Sequence, residues 1–309
     1  MIQRIVEPRI KNAEPAPELR VPGRFSVEEA YAYCERMARG HYENFPVASR
    51  FVPAELRKHV WAIYAFARSA DDFADEARFA GRRAEALAFW EESLERAFYG
   101  EAEHPVFVAL RDTVEARDLP INPLRDMLTA FNMDLRVNRY PTWSTVENYC
   151  AHSAHPVGRL MLYIFNYRDP ALHRYADDFC TALQLTNFLQ DVGVDVAKDR
   201  IYVPQEDLLH FGVPESAIYS RKATPAFREL MRFEVARARA LFERGRPLIG
   251  KVGSELAFEL ALIFHGGSTI LDKIEAVDYD VFARRPQLGT ADKARMIARA
   301  ATRKLPLFS

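Results

Sequence analysis

Cysteine is scarce. Three in 309 residues, Cys34, Cys150 and Cys180, with no CxxC pair and no histidine at ligand spacing, leave neither a disulfide framework nor a thiolate metal site. They are read as buried thiols of a chain kept in a reducing, cytoplasmic compartment. Net charge is missing too. Lys+Arg of 42 against Asp+Glu of 43 leaves −1, so no global field recruits DNA or RNA and any basic site must be local. No apolar run reaches the roughly 18 residues of a spanning helix, since even Leu256 to Leu271 is broken by Glu259 and His265. Residues 1–25 carry charges and prolines throughout, so they read as an N-terminal arm rather than a secretory signal, and 26–309 as one domain. Alternation of period two and a fixed-period repeat are both absent, which removes sheet proteins and solenoids.

What is present is a succession of capped helices. Ser26 with Glu29 forms a capping box opening a helix toward Gly40, and Pro53 precedes one from Ala54 to Glu76. Further helices are expected over Arg83 to Tyr99, Pro105 to Ala116 and Pro123 to Val137. Ser144 with Glu147 is expected to cap a helix to Phe165, kinked at Pro156 beside Ser153 and His155. Pro170 after Asp169 starts another that Gly193 loosens and that Val203 and Pro204 end, Thr224 and Pro225 start one to Gly245, and Ser254 and Thr290 cap the last two. About ten helices without strands give an all-α domain with 49% apolar composition to fill its core.

Within LQLTNFLQDVGVDVAKDRIYVP, from Leu183 to Pro204, Asn187, Asp191, Asp195 and Asp199 stand four apart. Each step of four advances about 40° around a helix, so the first three share a face. Asp71 and Asp75 in YAFARSADDFADE repeat the spacing. An isolated DxxxD is more often a solvated face than a metal site. Both pairs here follow apolar segments, VWAIYAFA and ALQLTNFL, and carboxylates beside buried neighbours require pairing or metal. Mg²⁺ takes one or two carboxylates plus waters and phosphate oxygens, which Asp71, Asp75, Asp191, Asp195 and the amide of Asn187 supply. Arg68, Lys198, Arg200 and Tyr202 stand where a diphosphate clamp would need them. One Glu-x-x-His, Glu101 and His104, falls between Gly100 and Pro105 without the second copy a di-iron bundle needs, and is read as surface.

These residues resemble the squalene and phytoene synthase family, head-to-head prenyl synthases of the class I isoprenoid synthase fold. Tyr64 to Glu76 looks like its first acidic motif and Gln184 to Tyr202 its second, within a resemblance running from about His41 to Arg285. It implies a helical bundle around a central apolar cavity, Mg²⁺ holding a prenyl diphosphate at the mouth, Tyr149 near the reacting carbons and Arg284 near the phosphates. It also places His41, Tyr42, Asn44, Phe45, Tyr64 and Gln184 among the substrate contacts, with Phe45, Tyr64 and Phe188 shielding a carbocation.

Departures from the family pattern narrow the resemblance. The family usually has arginine where Gln190 stands and glutamate where Val194 stands, and Tyr42 and Asn44 replace small hydroxyl residues. HYENFPV and SAHPVG look like the hydroxysqualene synthase branch of bacterial hopanoid pathways, a lyase that adds water to presqualene diphosphate. Without arginine at Gln190, a site for two diphosphates looks depleted. Water would be positioned by His155, Ser153 or Asn187. A lipid substrate implies peripheral contact with the inner membrane face and hand-off to other isoprenoid enzymes. Two rivals remain: a synthase condensing two prenyl diphosphates, although no GxGxxG marks a nucleotide site for direct squalene formation, and a non-catalytic assembly factor of the same fold.

Overall fold

Helix ends obey the capping chemistry written in the chain. The computed structural model describes Leu19, Val21 and residues 23–40 and 52–302; His41, Tyr42, Asn44, Phe45 and almost all of the N-terminal arm lie outside the described residues. Ser26 and Glu29 close a reciprocal box, Glu29 N donating to Ser26 Oγ at 3.2 Å and Ser26 N to Glu29 Oε2 at 2.9 Å, and open α1 (Val27–Gly40). There follow α2 (Ala54–Asp75), α3 (Arg83–Phe98), α4 (Pro105–Arg117) and α5 (Asn122–Asp134). The second half comprises α6 (Trp143–Ser153), α7 (His155–Ile164), α8 (Pro170–Asp195), the short α9 (Gln205–His210) and α10 (Glu215–Tyr219), then α11 (Pro225–Gly245), α12 (Ser254–Ala276) and α13 (Thr290–Thr302). Among the described residues there is no strand, one isolated bridge pairs Arg139 with Ile201, and no helix is long and apolar enough to cross a membrane.

Several boundaries differ from the sequence reading for local reasons. The cap expected at Ser144 and Glu147 lies at Thr142, whose hydroxyl accepts from Thr145 N at 3.3 Å while Thr145 Oγ1 accepts from Thr142 N at 3.1 Å. Ser144 and Glu147 are exposed. Thr142→Ala should therefore cost about 1 kcal/mol in urea unfolding and Ser144→Ala under about 0.5 kcal/mol; the reverse order would restore the Ser144 cap. The kink expected at Pro156 is a full break at Ala154, because the proline lacks the donor that would continue the helix and serves instead in the first turn of α7. Gly193 does not loosen α8, which runs to Asp195 and passes into a 3₁₀ turn, Val196–Lys198, ended by Asp199 at φ 58° well before Val203. Gly253, not Ser254, precedes α12. His104 is no surface residue: it caps α4 by accepting from Val106 N at 3.2 Å and packs edge-on against Trp90 at 5.0 Å, and burial holds its pKa down at about 4.

Two large buried clusters, with a small third of Leu162, Leu172, Ala176, Leu248 and Leu256, fill the bundle. One joins α1 to α5 and the inner face of α7 around Trp90, which packs on Phe107 at 4.4 Å and donates to Phe66 O at 3.1 Å. The other joins α6, α8, α11, α12 and α13 around Phe179, Phe242 and Phe264. On α2 the buried stripe Leu56, Val60, Ile63, Phe66, Ala70, Phe73 keeps helical spacing to the C-terminal end, so the last turn is delivered rigidly to the seam between the clusters. The same holds for α8, whose buried face includes Phe179, Leu185, Phe188, Leu189 and Val192. Cys34 and Cys150 are buried thiols, and Cys180, also free, is partly buried.

Candidate active site

Three helices end at this seam against their own dipoles. The carboxyl end of a helix carries partial negative charge and normally recruits lysine or arginine. The last turns of α2, α5 and α8 contain no basic residue, and they carry Asp72 and Asp75, Asp134, and Asp195 one turn after Asp191. Negative potential thus accumulates at one place, and cations from elsewhere in the chain answer it. Lys198 Nζ lies 2.8 Å from Asp75 Oδ2 and Arg200 Nη2 2.8 Å from Asp75 Oδ1, bridging the segment after α8 to α2. Arg285 forks onto both oxygens of Asp191, Nη2 to Oδ2 at 3.1 Å. Arg68 lies 2.7 Å from Asp72 and 3.3 Å from Asp71, so its charge is committed within α2.

The carboxylates are consequently unequal. Burial pushes Asp195 up to about 7, with the charge of Asp191 adding to it. Asp71 is also raised by burial, against the pull of Arg68. Burial would raise Asp75 too, yet the bonds from Arg200 and Lys198 outweigh it and hold the group below the ordinary range. Asp195 costs the fold stability: between about pH 4 and 7 the folded chain binds more protons than the unfolded one, so stability falls as pH rises through that window. Asp195→Asn should raise the stability of the metal-free protein at pH 8 by on the order of 2 kcal/mol, the gain shrinking as pH is lowered from 7 toward 4. A gain independent of pH in thermal melts would exclude this account.

The segment after α8 is held by a compact network. Arg139 donates to Asp199 O at 2.6 Å, Asp199 Oδ1 at 2.9 Å and Glu215 Oε2 at 3.0 Å, Asn138 donates to Asp199 Oδ2 at 2.9 Å, and Ile201 N donates to Asn138 O at 3.0 Å. Asp199, fourth in the spaced series, therefore points away from the other carboxylates and fixes the turn that presents Lys198 and Arg200. On the opposite side Gln190 is buried, its Nε2 donating to Pro286 O at 2.5 Å. It does not face the clamp as the sequence reading placed it; it ties α8 to the strap carrying Arg285. Arg284, expected near the phosphates, is exposed, and its neighbour Arg285 reaches Asp191. His155 Nε2 lies 2.8 Å from Thr181 Oγ1 on α8, and Ser153 Oγ is buried without a hydrogen-bond partner. Tyr64 and Gln184 are half-buried and Asn187 is exposed.

Beneath the carboxylates lies an aromatic box. Phe188, about one helical turn below Asp191, stacks on Tyr202 at 3.9 Å with an interplanar angle of 3°. Tyr149 is 6.1 Å from Phe188 and 5.6 Å from Tyr202, and Tyr140 closes the box at 5.7 Å from Tyr202. Tyr149 donates to Asp134 Oδ2 at 3.0 Å and Tyr202 to Oδ1 at 3.4 Å. Sequence reasoning missed Asp134 and Tyr140, and chose Arg284 in place of Arg285.

Oxygen donors only, cations within bonding distance of them, and aromatic faces one turn below make a place where an anionic head group and an apolar chain meet. Residues 38–292 match the family model for squalene/phytoene synthase. The chain belongs to the squalene/phytoene synthase family. This is a family of prenyl-transferring isoprenoid synthases. Among solved structures, a squalene synthase, HpnC, from Alicyclobacillus acidocaldarius is 45% identical with a TM-score of 0.79, covering 82% of this chain and 95% of its own. A dehydrosqualene synthase in complex with ligand is 26% identical with a TM-score of 0.82, covering 90% of this chain and 97% of its own. The phytoene synthase of Arthrospira platensis is 33% identical over 291 residues, 90% of this chain and 94% of the relative, and the 15-cis-phytoene synthase of Synechocystis sp. 34% over 282 residues, 87% and 83% respectively. The fold is the class I isoprenoid synthase helical fold of these neighbours.

A divalent ion is the group such a site implies. Among the described residues no three His, Cys, Asp or Glu side chains converge as a closed metal cage. The donor set nonetheless suits a hard ion that keeps waters and completes its shell with substrate oxygens, because every donor is oxygen and Asp195 is a carboxylate that burial leaves short of compensation.

Proposed function

We propose that the protein is a hydroxysqualene synthase, converting presqualene diphosphate and water into hydroxysqualene and diphosphate. The observation that carries this reading is the cation set of the clamp among the described residues: Lys198, Arg200 and Arg285 bond its carboxylates, Arg68 and Arg78 lie on Asp72, and Gln190, buried against Pro286, adds no charge. That supply matches one diphosphate better than two. The 45% identity to the HpnC squalene synthase structure supports a hopanoid-type synthase.

Asp71, Asp75, Asp191 and Asp195, with the amide oxygen of Asn187, would hold Mg²⁺, which when bound polarises the departing diphosphate. Lys198, Arg200 and Arg285 take the phosphate oxygens as the carbon–oxygen bond breaks, stabilising charge where it develops. Phe188 and Tyr202 present aromatic faces to the cation left behind, on the order of 1 kcal/mol or more each when desolvated. Water then captures that cation.

A second reading, condensation of two prenyl diphosphates, is favoured by the phytoene synthases among the relatives. An assembly factor would have no use for Asp195, whose burial weakens the fold. Purified protein with Mg²⁺ and no NADPH, given presqualene diphosphate in one reaction and farnesyl diphosphate in another, separates the three. Hydroxysqualene from the first is expected. Presqualene diphosphate or a hydrocarbon from farnesyl diphosphate would mean a condensing synthase, and no diphosphate release in either would mean the assembly factor.

A further inference from the structure

Asp134 is used by none of the steps above. It ends α5, lies between Tyr149 and Tyr202, and accepts from both hydroxyls, at 3.0 Å and 3.4 Å. Two phenols converging on one carboxylate, inside a box of four aromatic rings, is a costly arrangement for packing alone, because an isosteric apolar trio would fill the space without burying a charge. Of the two phenols Tyr149 makes the shorter bond, and its ring also lies 6.1 Å from Phe188 in the box.

We propose that Asp134 is the proton acceptor of the site, acting through Tyr149. The inference rests on the water-capture reading above. When a lone pair of water forms the new carbon–oxygen bond, the resulting oxonium must lose a proton. The Tyr149 oxygen accepts that proton as its own hydroxyl proton passes to Asp134 Oδ2, so Tyr149 ends neutral, Asp134 ends as a carboxylic acid, and diphosphate has left with its electron pair. The proton returns to solvent before the next turnover. Tyr149 could not do this alone, since burial and the adjacent Asp134 charge push its pKa well above the usual range and a free phenolate is inaccessible. Asp134 is raised to about 6, chiefly by burial, with Arg200 and the Tyr149 bond opposing and Asp75 and Asp71 adding to the rise; it is a carboxylate at neutral pH and a stronger base than an exposed aspartate. The groups facing it are Tyr149 from α6, Tyr202 and Arg200 from the segment after α8, and Asp71 and Asp75 from α2.

The readout is alcohol formed per diphosphate released, which separates proton removal from ionisation. With presqualene diphosphate and Mg²⁺ in ¹⁸O-water, the wild type should give labelled alcohol in step with diphosphate. In Asp134→Asn, which keeps the shape and one acceptor oxygen, that ratio should fall about 10-fold or more, with the lost alcohol appearing as hydrocarbons or other alcohols. Tyr149→Phe should share the signature, and Asp134→Glu should recover part of the ratio. Asp134→Asn or Tyr149→Phe with an unchanged ratio overturns the proton role while leaving hydroxysqualene synthesis intact. A wild type forming no alcohol overturns the water-capture reading and this role with it.

Discussion

Asp191→Asn should lower diphosphate release by roughly a thousand-fold, with helicity and melting behaviour retained. Asp191 does two things that asparagine cannot. It holds Arg285 by a two-oxygen fork, and it is the middle member of the Asn187, Asp191, Asp195 face at the end of α8. Asparagine keeps one oxygen and turns the other position into a donor, so the guanidinium meets a like-polarity group and the face loses a full negative charge. The fold tolerates the change because Arg285 is about one-third exposed and can turn to solvent. Asp71→Asn should behave similarly, its carboxylate being 44% exposed at the mouth. Release of diphosphate from presqualene diphosphate, followed beside circular dichroism of the same sample, checks both. Retention of more than about a tenth of wild-type release in Asp191→Asn would remove it from the ionisation step.

Gly245→Ala should be strongly damaging, costing roughly 3 kcal/mol and lowering the melting temperature by about 4–6 °C. A Cβ there would stand 2.7 Å from Phe179 N, 2.8 Å from its Cβ and 2.9 Å from its Cα. Those are backbone and near-backbone atoms of α8, which cannot swing aside as a side-chain tip would, so relief requires moving α8 and α11 apart along a shared buried face. Gly250→Ala is the matched control: nothing lies within 4 Å of its added Cβ, and reduced freedom of the unfolded chain should leave it neutral or slightly stabilising. Equal melting temperatures for the two variants would mean that α8 and α11 are looser than their packing indicates.

Local chemistry was readable in the sequence where it is local in the chain. Ser26 with Glu29, Asp169 before Pro170 and Thr224 before Pro225 cap the helices assigned to them, because each cap bonds residues two or three positions away. The spacing of Asp71 with Asp75 and of Asn187, Asp191 and Asp195 likewise placed each set on one helix. What stayed hidden depends on closure. Arg285 reaches Asp191 across 94 positions and Tyr149 joins Asp134 across 15, through an intervening helix break. Nothing in FARRPQ distinguishes Arg284 from Arg285, and only the folded chain shows Arg285 on Asp191, beside the bond from Gln190 to Pro286. Asp134 left no such trace, because a helix read to Val137 carries Arg136 in its last turn, and only the end of α5 at Asp134 leaves that turn without a basic residue. Thr142 was passed over for Ser144 because the true box uses threonine where glutamate is customary.

The chain's own cations make the resting site an occupied one. Lys198, Arg200 and Arg285 already sit on the carboxylates a divalent ion would take, so loading is an exchange of one positive charge for another rather than a filling of empty space. Ion alone gains little from such an exchange, since each displaced side chain loses its partner. Diphosphate restores one: its oxygens accept the evicted ammonium and guanidinium groups while completing the ion's shell. The two ligands therefore favour each other, and by linkage each must strengthen the other's binding by the same factor. Cooperative loading of ion and diphosphate is thus written into the acid ends of three helices.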